Sequence, residues 1–397
     1  MIATEWGWAV LGTALSLLSL PGTVELALLT LGGLLPNRRP PAVTANTSPL
    51  RLAVVIPAHD EEAGIADCVA SVLAAADSVR CAVFVVADNC SDATAERAEA
   101  AGAAVLFRQD PQLRGKGYAL DYAFKTLLAH DYDVFIVVDA DTRIESALLD
   151  EFQRGFQAGA DALQCRYRVD NPSVSLRTRL LNVALLAFNV LRPRGRERWG
   201  LSVGLLGNGF GLTRDTLQVV PYEANSIAED LEYHLRLVRA GRRVRFVDNA
   251  TVWSAMPSGG AAAGTQRSRW EGGRLRMIGE WTGPLLRDIV QGRLRLLEPL
   301  LELLLLPLAF HVLLLAVALL PPFSWSRGYA LVGLALVGVH VLAAIRVGGG
   351  GWRDGMALLA APFYVLWKLT LFKALVGSAR KDAAWVRTAR EDKHDNG

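Results

Sequence analysis

Two aspartates separated by one alanine directly follow an apolar stretch near the middle of the chain. The stretch reads Asp133-Val-Phe-Ile-Val-Val-Asp-Ala-Asp141 and ends on Asp139 and Asp141. An apolar run without alternation is typical of a strand buried on both faces of a parallel sheet. Ligands of open α/β sheets bind outside the carboxyl ends of the strands, where paired carboxylates can hold a divalent cation that a phosphate group also contacts. The alternative is an acidic turn that caps the next helix.

Acidic residues follow two earlier apolar runs in the same way. The segment Pro57-Ala-His-Asp-Glu-Glu62 comes after Leu52–Ile56, and Asp88-Asn-Cys-Ser-Asp92 comes after Ala82–Ala87. Three acidic loops at one edge of a sheet are harder to explain as chance turns than one loop is. No GxGxxG follows any of these runs, which favours a mononucleotide held partly through a metal over a dinucleotide.

The elements that would position these loops alternate along the chain. Helices are predicted at 63–76, 93–101 and 117–128, and a further strand is predicted at 104–107. With the three strands above, this gives a βαβαβαβ order, which is typical of a doubly wound, Rossmann-like α/β sheet.

Three later segments carry polar or glycine-rich patterns. Gly115-Lys116-Gly117 precedes a helix, where backbone amides and the lysine can meet an anion. It is not a P-loop, which needs GxxxxGK followed by Ser or Thr, because Lys116 is followed by Gly117 and Tyr118. The loop from Gly204 to Gly211 would let a bulky acceptor approach the backbone closely. Glu229 and Asp230 open another helix, where acids can also serve only the helix dipole.

Composition indicates that part of the chain lies in a membrane. Hydrophobic residues make up 52% of the 397 residues, which is high for a soluble protein. The net charge of +3, from 42 basic and 39 acidic residues, is not the polycation expected of a nucleic-acid-binding protein. The four cysteines form no CxxC pair, so a reduced compartment without a zinc site is the simplest account.

Apolar segments of spanning length lie near both ends. Residues 6–35 favour a membrane anchor with a kink at Pro21 and Gly22 over a cleavable signal peptide, and Arg38 with Arg39 places the next domain in the cytoplasm. Three more segments are predicted at Leu297–Leu320, Tyr329–Val347 and Met356–Leu375. The last segment either spans or is re-entrant or interfacial, because the basic residues that follow it prefer the cytoplasm. Residues 174–191 suit an interfacial helix or a core helix of the domain, and the helix after 270 suits a second interfacial helix.

These motifs together resemble the membrane-integrated family 2 glycosyltransferases, a group that includes cellulose, chitin, hyaluronan and poly-N-acetylglucosamine synthases. The resemblance covers about residues 50–320 and includes a QxxRW motif at Gln266-Arg-Ser-Arg-Trp270, just before a membrane segment. It implies a GT-A type α/β cytosolic domain with α-helical transmembrane and interfacial segments. The expected divisions are an anchor at 1–40, the catalytic domain at 41–264, the QxxRW segment at 265–296, membrane segments at 297–376 and a basic tail at 377–397.

The resemblance also implies roles for individual residues. Asp230 would be the catalytic base, and Asp141 with Asp139 would hold Mg²⁺ or Mn²⁺. Contacts to the nucleotide sugar, a UDP-sugar, are expected from Asp60, Glu61, Asp88, Lys116, Asp139, Gln266 and Arg269. Contacts to the acceptor are expected from Asn208, Glu229 and Trp270. A single base and no carboxylate nucleophile predict direct displacement, so an α-linked hexose or N-acetylhexosamine would be transferred with inversion to a β-linkage.

Two departures from the synthases bear on the product. Ala228 stands before the acidic pair where many synthases carry Thr, and fewer spans are predicted than in the longest polymer-secreting relatives. The expected function is polysaccharide synthesis at the inner face of the plasma membrane, with the bilayer as a partner and an export protein as a candidate partner. The alternative enzyme adds one sugar to a lipid carrier or glycolipid. A nucleotidyltransferase and a non-catalytic membrane scaffold or transporter are the rivals from other classes.

Overall fold

A computed structural model describes residues 2–36, 48–76, 78–224, 226–257 and 259–370. Arg38 and Arg39, on which the predicted orientation depends, lie outside these residues. The predicted basic tail at 377–397 and the end of the segment Met356–Leu375 also lie outside them.

The described part of the chain contains one eight-stranded mixed sheet in the order β3-β2-β1-β4-β7-β6-β8-β5. The strands are β1 (Arg51–Ala58), β2 (Arg80–Asp88), β3 (Ala104–Arg108), β4 (Val134–Val137), β5 (Thr142–Ile144), β6 (Ala162–Val169), β7 (Phe210–Thr213) and β8 (Val244–Ser254). The first four strands are parallel, which confirms the predicted βαβαβαβ unit. Beyond β4 the sheet is mixed, because β7 runs antiparallel to both β4 and β6.

Helices cover both faces of the sheet and extend beyond it. They are α1 (Ile2–Leu34), α2 (Ile65–Ala74), α3 (Thr94–Ala100), α4 (Lys116–Leu127), α5 (Leu148–Gln157), α6 (Leu176–Leu186), α7 (Arg192–Trp199), α8 (Arg214–Val219), α9 (Glu229–Arg239), α10 (Gly260–Val290), α11 (Leu297–Leu304), α12 (Leu308–Val317), α13 (Ser324–Val347), α14 (Trp352–Ala357) and α15 (Ala361–Thr370). The structure explains why apolar and polar residues do not alternate in β1. Leu52, Val54 and Ile56 pack into the core on one face, whereas Ala53 and Val55 pack into the core on the other.

Two helices in the described part are long and apolar enough to cross a membrane. They are residues 5–34 of α1 and the whole of α13, and α1 continues through the predicted kink at Pro21. The predicted span Leu297–Leu320 is instead a pair of helices, α11 and α12, bent by 76°. Pro307 explains the break, because the residues before a proline avoid helical conformation and Leu305 is already extended. Arg274 of α10 donates to the exposed carbonyl of Leu305 at 2.8 Å.

The segment 174–191 is covered by protein on more than one side. It forms α6 and a π-helical turn, and it contacts β6, α13 and α14. Just after it, Arg196 of α7 is 2% exposed and pairs with Glu25, Glu298 and Glu302 at 2.6, 2.7 and 2.9 Å. Because an unpaired buried charge costs about 3–5 kcal/mol, this cluster fixes α1 and α11 firmly to the sheet domain.

Candidate active site

A large cavity lies at the carboxyl ends of β1, β2 and β4. It brings together predicted site residues from six segments that are far apart in the sequence. Of the predicted site residues, those that line it are Glu61, Asp88, Lys116, Asp139, Asp141, Glu229, Asp230, Gln266, Arg269 and Trp270. Asp60 and Asn208 do not line it.

Asp139 and Asp141 stand where β4 ends, and Lys116 at the start of α4 faces them. The Lys116 ammonium contacts Asp139 Oδ1 and donates to the carbonyl of Gly207 at 2.5 Å. Burial would lower the pKa of Lys116, but the negative charges of Asp139, Glu229 and Asp230 outweigh it and raise that pKa. The lysine is therefore a fixed positive charge beside the carboxylates. Carboxylate oxygens are the ligands that Mg²⁺ and Mn²⁺ prefer, so the donor chemistry of the aspartate pair fits such an ion.

Asn208 has a different role from the predicted acceptor contact. Its side chain is completely buried, and its Oδ1 accepts from the backbone N–H of Asp139 at 3.1 Å. Its Nδ2 donates to Thr142 Oγ1 at 2.8 Å, and Thr142 Oγ1 lies 2.7 Å from Ser254 Oγ. A side chain that is buried and used in this way does not line the cavity, so the structure does not support the predicted acceptor contact, which stays a prediction. Asn208 instead holds the backbone from which Asp139 and Asp141 project.

The network beneath the aspartates contains residues that sequence reasoning missed. Tyr167 lines the cavity, and its hydroxyl group lies near Ser254 and Asn208 as well as near Asp139 and Asp141. Burial and the two nearby carboxylates raise the pKa of the Tyr167 phenol, so it stays neutral. Only Thr142, which directly follows Asp141, was visible as a neighbour in the sequence.

Replacing Asn208 by Ala is expected to weaken the donor end of the site and not the acceptor end. Loss of an outer-shell partner of this kind typically costs about 10–100-fold in affinity or activity. Steady-state kinetics of the variant should show a higher KM for the nucleotide sugar at an unchanged KM for the acceptor. A change confined to the acceptor KM would restore the original assignment.

Asp230 approaches the aspartate pair across the glycine-rich loop. Gly207 has φ +78°, and a Cβ built on it would lie 3.1 Å from Asp230 Oδ2, so glycine is needed there for both reasons. Asp230 Oδ1 accepts a hydrogen bond from the backbone N–H of Leu231 at 2.7 Å. Asp230 therefore also contributes to capping α9, which was the alternative role for this acid. Burial raises the pKa of Asp230, although that hydrogen bond and Lys116 oppose it. Burial and Asp230 likewise raise the pKa of Glu229.

The far end of the cavity is formed by the loops after β1 and β2. Asp88 is 5% exposed and accepts from Arg108 Nη1 at 2.5 Å, while burial raises its pKa. Asp60, predicted with Glu61 to contact the nucleotide, turns away from the cavity. Its Oδ1 accepts from the N–H of Ser91 at 2.7 Å, so it joins the two loops. Of these two residues, Glu61 is the one at the cavity wall.

The QxxRW motif lies in the first turns of α10, which closes one side of the cavity. Trp270 packs beside a small cluster of Val169, Leu181 and Met256. Arg267, which was not predicted, lies over the Trp270 ring at 5.5 Å and donates to Tyr364 Oη of α15 at 2.9 Å. The motif is thereby attached both to the sheet domain and to the apolar helices.

The mixed sheet and the site at its edge define a GT-A glycosyltransferase fold. Residues 49–273 match the family described as glycosyltransferase like family 2, and the chain belongs to this family. The predicted family is thus confirmed, while membership of the narrower synthase group stays a prediction.

Among solved structures, the chain is similar to the mannosyltransferase PcManGT from Pyrobaculum calidifontis in complex with GDP-Man and Mn²⁺. The identity is 15% and the TM-score 0.53, covering 93% of this chain and 97% of that one. A glucosyl-3-phosphoglycerate synthase from Mycobacterium tuberculosis, in complex with Mn²⁺, UDP-Glc and phosphoglyceric acid, is 21% identical with a TM-score of 0.41. That similarity covers 60% of this chain and 83% of that one.

A curated relative is the probable glycosyltransferase YdaM of Bacillus subtilis (strain 168). It is 28% identical over 238 residues, which are 57% of this chain and 56% of that protein. The chain therefore spans about half the length of this relative.

Proposed function

We propose that the protein is a metal-dependent, inverting glycosyltransferase that moves a hexose or N-acetylhexosamine from a UDP-sugar to a hydroxyl group, forming a β-linkage. The observation that carries this proposal is the arrangement of Asp230, Gly207 and Lys116 around Asp139 in one cavity. It combines a carboxylate for the acceptor with a fixed cation and an aspartate pair for the leaving diphosphate.

Asp230 serves as the base. A hydroxyl group is a weak nucleophile at neutral pH and needs a positioned carboxylate to take its proton during attack. The raised pKa of Asp230 makes it a stronger proton acceptor than an exposed aspartate. Because no second carboxylate acts as a nucleophile in this scheme, one in-line displacement inverts the anomeric carbon.

Cations stabilise the diphosphate that leaves. Mg²⁺ or Mn²⁺ held by Asp141 with Asp139 would neutralise charge that develops on the leaving oxygens, and PcManGT was solved with Mn²⁺. Lys116 orients Asp139, while Gln266, Arg269 and Trp270 close over the diphosphate and the acceptor. Glu61 and Asp88 lie where the nucleoside is expected.

The enzyme works at the inner face of the plasma membrane with its sheet domain in the cytoplasm. Apolar side chains on α1 and α13, including Leu17, Leu28, Leu331 and Val339, are about half exposed or more, and such surfaces are typical of contact with lipid. The clustered ion pairs of Arg196 hold the sheet domain against α1 and α11. A role in polysaccharide synthesis or in the glycosylation of a lipid follows from this location.

Incubation of purified protein with a panel of nucleotide sugars and Mg²⁺ or Mn²⁺ tests the proposal. We expect release of nucleoside diphosphate from one UDP-sugar, and loss of that release in EDTA. Release of pyrophosphate would indicate a nucleotidyltransferase instead. Absence of any turnover across the panel would favour a non-catalytic membrane protein.

A further inference from the structure

The active-site cavity does not end at Asp230 but continues between the apolar helices. Its volume is about 2460 Å³. Pockets for single small ligands usually measure about 300–1,000 Å³, so a nucleotide sugar would leave more than half of this space for something else. The acceptor is the other substrate of the proposed reaction.

The walls of this second part are formed by helix faces with regular spacing. Segment α6 and the turn after it contribute Leu180, Val183, Ala184 and Ala187, at positions i, i+3, i+4 and i+7. Helix α13 contributes Leu334, Val337, Gly338 and Val341, with the same spacing. Residues three, four and seven apart share one face of a helix, so each helix presents a continuous apolar stripe to the cavity.

Helices α12 and α15 complete the walls in the same manner. Leu308, Val312 and Ala316 of α12 line the cavity at four-residue intervals. On α15 the lining includes Ala361, Pro362 and Val365. The second part of the cavity is thus enclosed mainly by aliphatic side chains.

The cavity also reaches far along a helix that can cross the membrane. The end of α13 at Val347 lies beside the sheet domain, since Ala343 and Ala344 pack with Leu186 of α6. Leu334 is thirteen residues before that end, which corresponds to about 20 Å along a helix with a rise of 1.5 Å per residue. This distance exceeds half of a hydrocarbon core of about 30 Å.

We infer that the acceptor is a lipid-linked molecule whose hydroxyl group lies at Asp230 while its aliphatic chain lies between α6, α12, α13 and α15. This inference rests on the proposed glycosyltransferase function. An alkyl or prenyl chain needs no hydrogen bonds and matches walls of Leu, Val and Ala. The bond formed joins the anomeric carbon of the donor sugar to the acceptor oxygen, the bond to the diphosphate breaks, and Asp230 takes the hydroxyl proton.

A growing polysaccharide matches these walls less well. Each sugar unit carries hydroxyl groups that need partners when they leave water, and an aliphatic wall offers none. Two polar side chains on α13 and α15 that line the cavity already have protein partners. His340 Nδ1 lies 2.8 Å from Thr30 Oγ1, and Tyr364 Oη accepts from Arg267 at 2.9 Å.

Two glycines on α13 provide a matched test. Gly338 lines the cavity, and a Cβ built on it meets no atom within 4 Å. Gly328, on the same helix, also has open space around its Cβ but is not part of the lining. Gly338→Phe should therefore fold and fill the chain-binding part, whereas Gly328→Phe adds the same side chain elsewhere.

The assay uses the full-length protein, the radiolabelled UDP-sugar that it turns over, and vesicles of total lipid extracted from its native host. Label should appear in the organic-solvent extract. The ratio of lipid labelling to donor hydrolysis should fall at least about tenfold in Gly338→Phe, as expected for overfilling a binding site, and stay within about twofold in Gly328→Phe.

Three results would contradict this inference or the proposed function on which it rests. Equal lipid labelling by Gly338→Phe and Gly328→Phe, with both variants folded by thermal melting, would overturn the chain site. Label found only in water-soluble or insoluble polymer would overturn the lipid acceptor and support a polysaccharide. No release of nucleoside diphosphate from any donor by the unmodified protein would instead overturn the proposed function itself.

Discussion

Replacing Asp230 by Asn is expected to abolish sugar transfer while binding of the nucleotide sugar persists. Asparagine has nearly the same shape as aspartate but cannot accept the acceptor's proton. General base catalysis contributes about 10²–10⁴-fold to rate, so the loss in kcat should fall in that range. The donor site loses no direct contact, because Lys116 is fixed by Asp139 and by the Gly207 carbonyl.

Two measurements test this prediction. Transfer is followed as release of nucleoside diphosphate in the presence of acceptor, and donor binding is followed by calorimetry in Mn²⁺. The matched control is Glu223→Gln, which changes another carboxylate at the cavity wall. Glu223 is 60% exposed and its ion pair with Arg236 measures 3.6 Å, so this variant should keep most of its activity. Retained turnover in Asp230→Asn would remove the assignment of the base.

Replacing Asp141 by Ala is expected to remove the metal dependence of donor binding together with transfer. The aspartate pair stands at the end of β4, and Asp139 already shares its charge with Lys116. Loss of Asp141 leaves a divalent cation with too few carboxylate ligands. Because even outer-shell changes cost about 10–100-fold in metal affinity, loss of a direct ligand should cost at least about 100-fold.

Titration of Mn²⁺ against nucleotide-sugar binding provides the measurement. In the unmodified protein the metal should strengthen binding, and in Asp141→Ala it should have little effect. Asp170→Asn is the control, since Asp170 also lines the cavity but pairs with Arg143 at 3.0 Å where both side chains are largely exposed. If Asp141→Ala kept metal-dependent transfer, the proposed metal site would be wrong.

The parallel half of the sheet could be predicted from the sequence because its strands depend on residues that are close together in the chain. The apolar runs at β1, β2 and β4 predict strands that are buried on both faces, and the structure places helices on both faces. Acidic residues that follow such strands necessarily meet at one edge. Glu61, Asp88, Asp139 and Asp141 therefore line one cavity as the pattern predicted.

The directions in which individual side chains point could not be predicted from local sequence. Asp60 and Glu61 are adjacent and chemically alike, yet Asp60 bonds to Ser91 whereas Glu61 lines the cavity. Asn208 lies in a glycine-rich loop that looks open in the sequence, but Gln164 Nε2 donates to its carbonyl at 2.8 Å and holds the loop inward. Both outcomes depend on residues at least thirty positions away along the chain.

The apolar segments likewise have some features that the sequence predicts and others that depend on tertiary contacts. Composition alone predicted α1 and α13 as membrane helices, because burial of about 20 consecutive apolar residues requires no knowledge of partners. The bend between α11 and α12 depends on Pro307 and on Arg274, which supplies hydrogen bonds to the carbonyls that the break exposes. Glu25, which interrupts the apolar residues of α1, is explained only by Arg192 and Arg196.

The sequence by itself determined the family, the parallel strands, the acidic edge and the order of the motifs, because residue type and short spacing dictate strands, turns and local charge. The tertiary structure decided which of two neighbouring acids faces the cavity, that Asn208 supports Asp139, and that four helix stripes extend the cavity into the apolar region. These features arise from contacts between segments far apart in the chain, and no local pattern encodes such contacts.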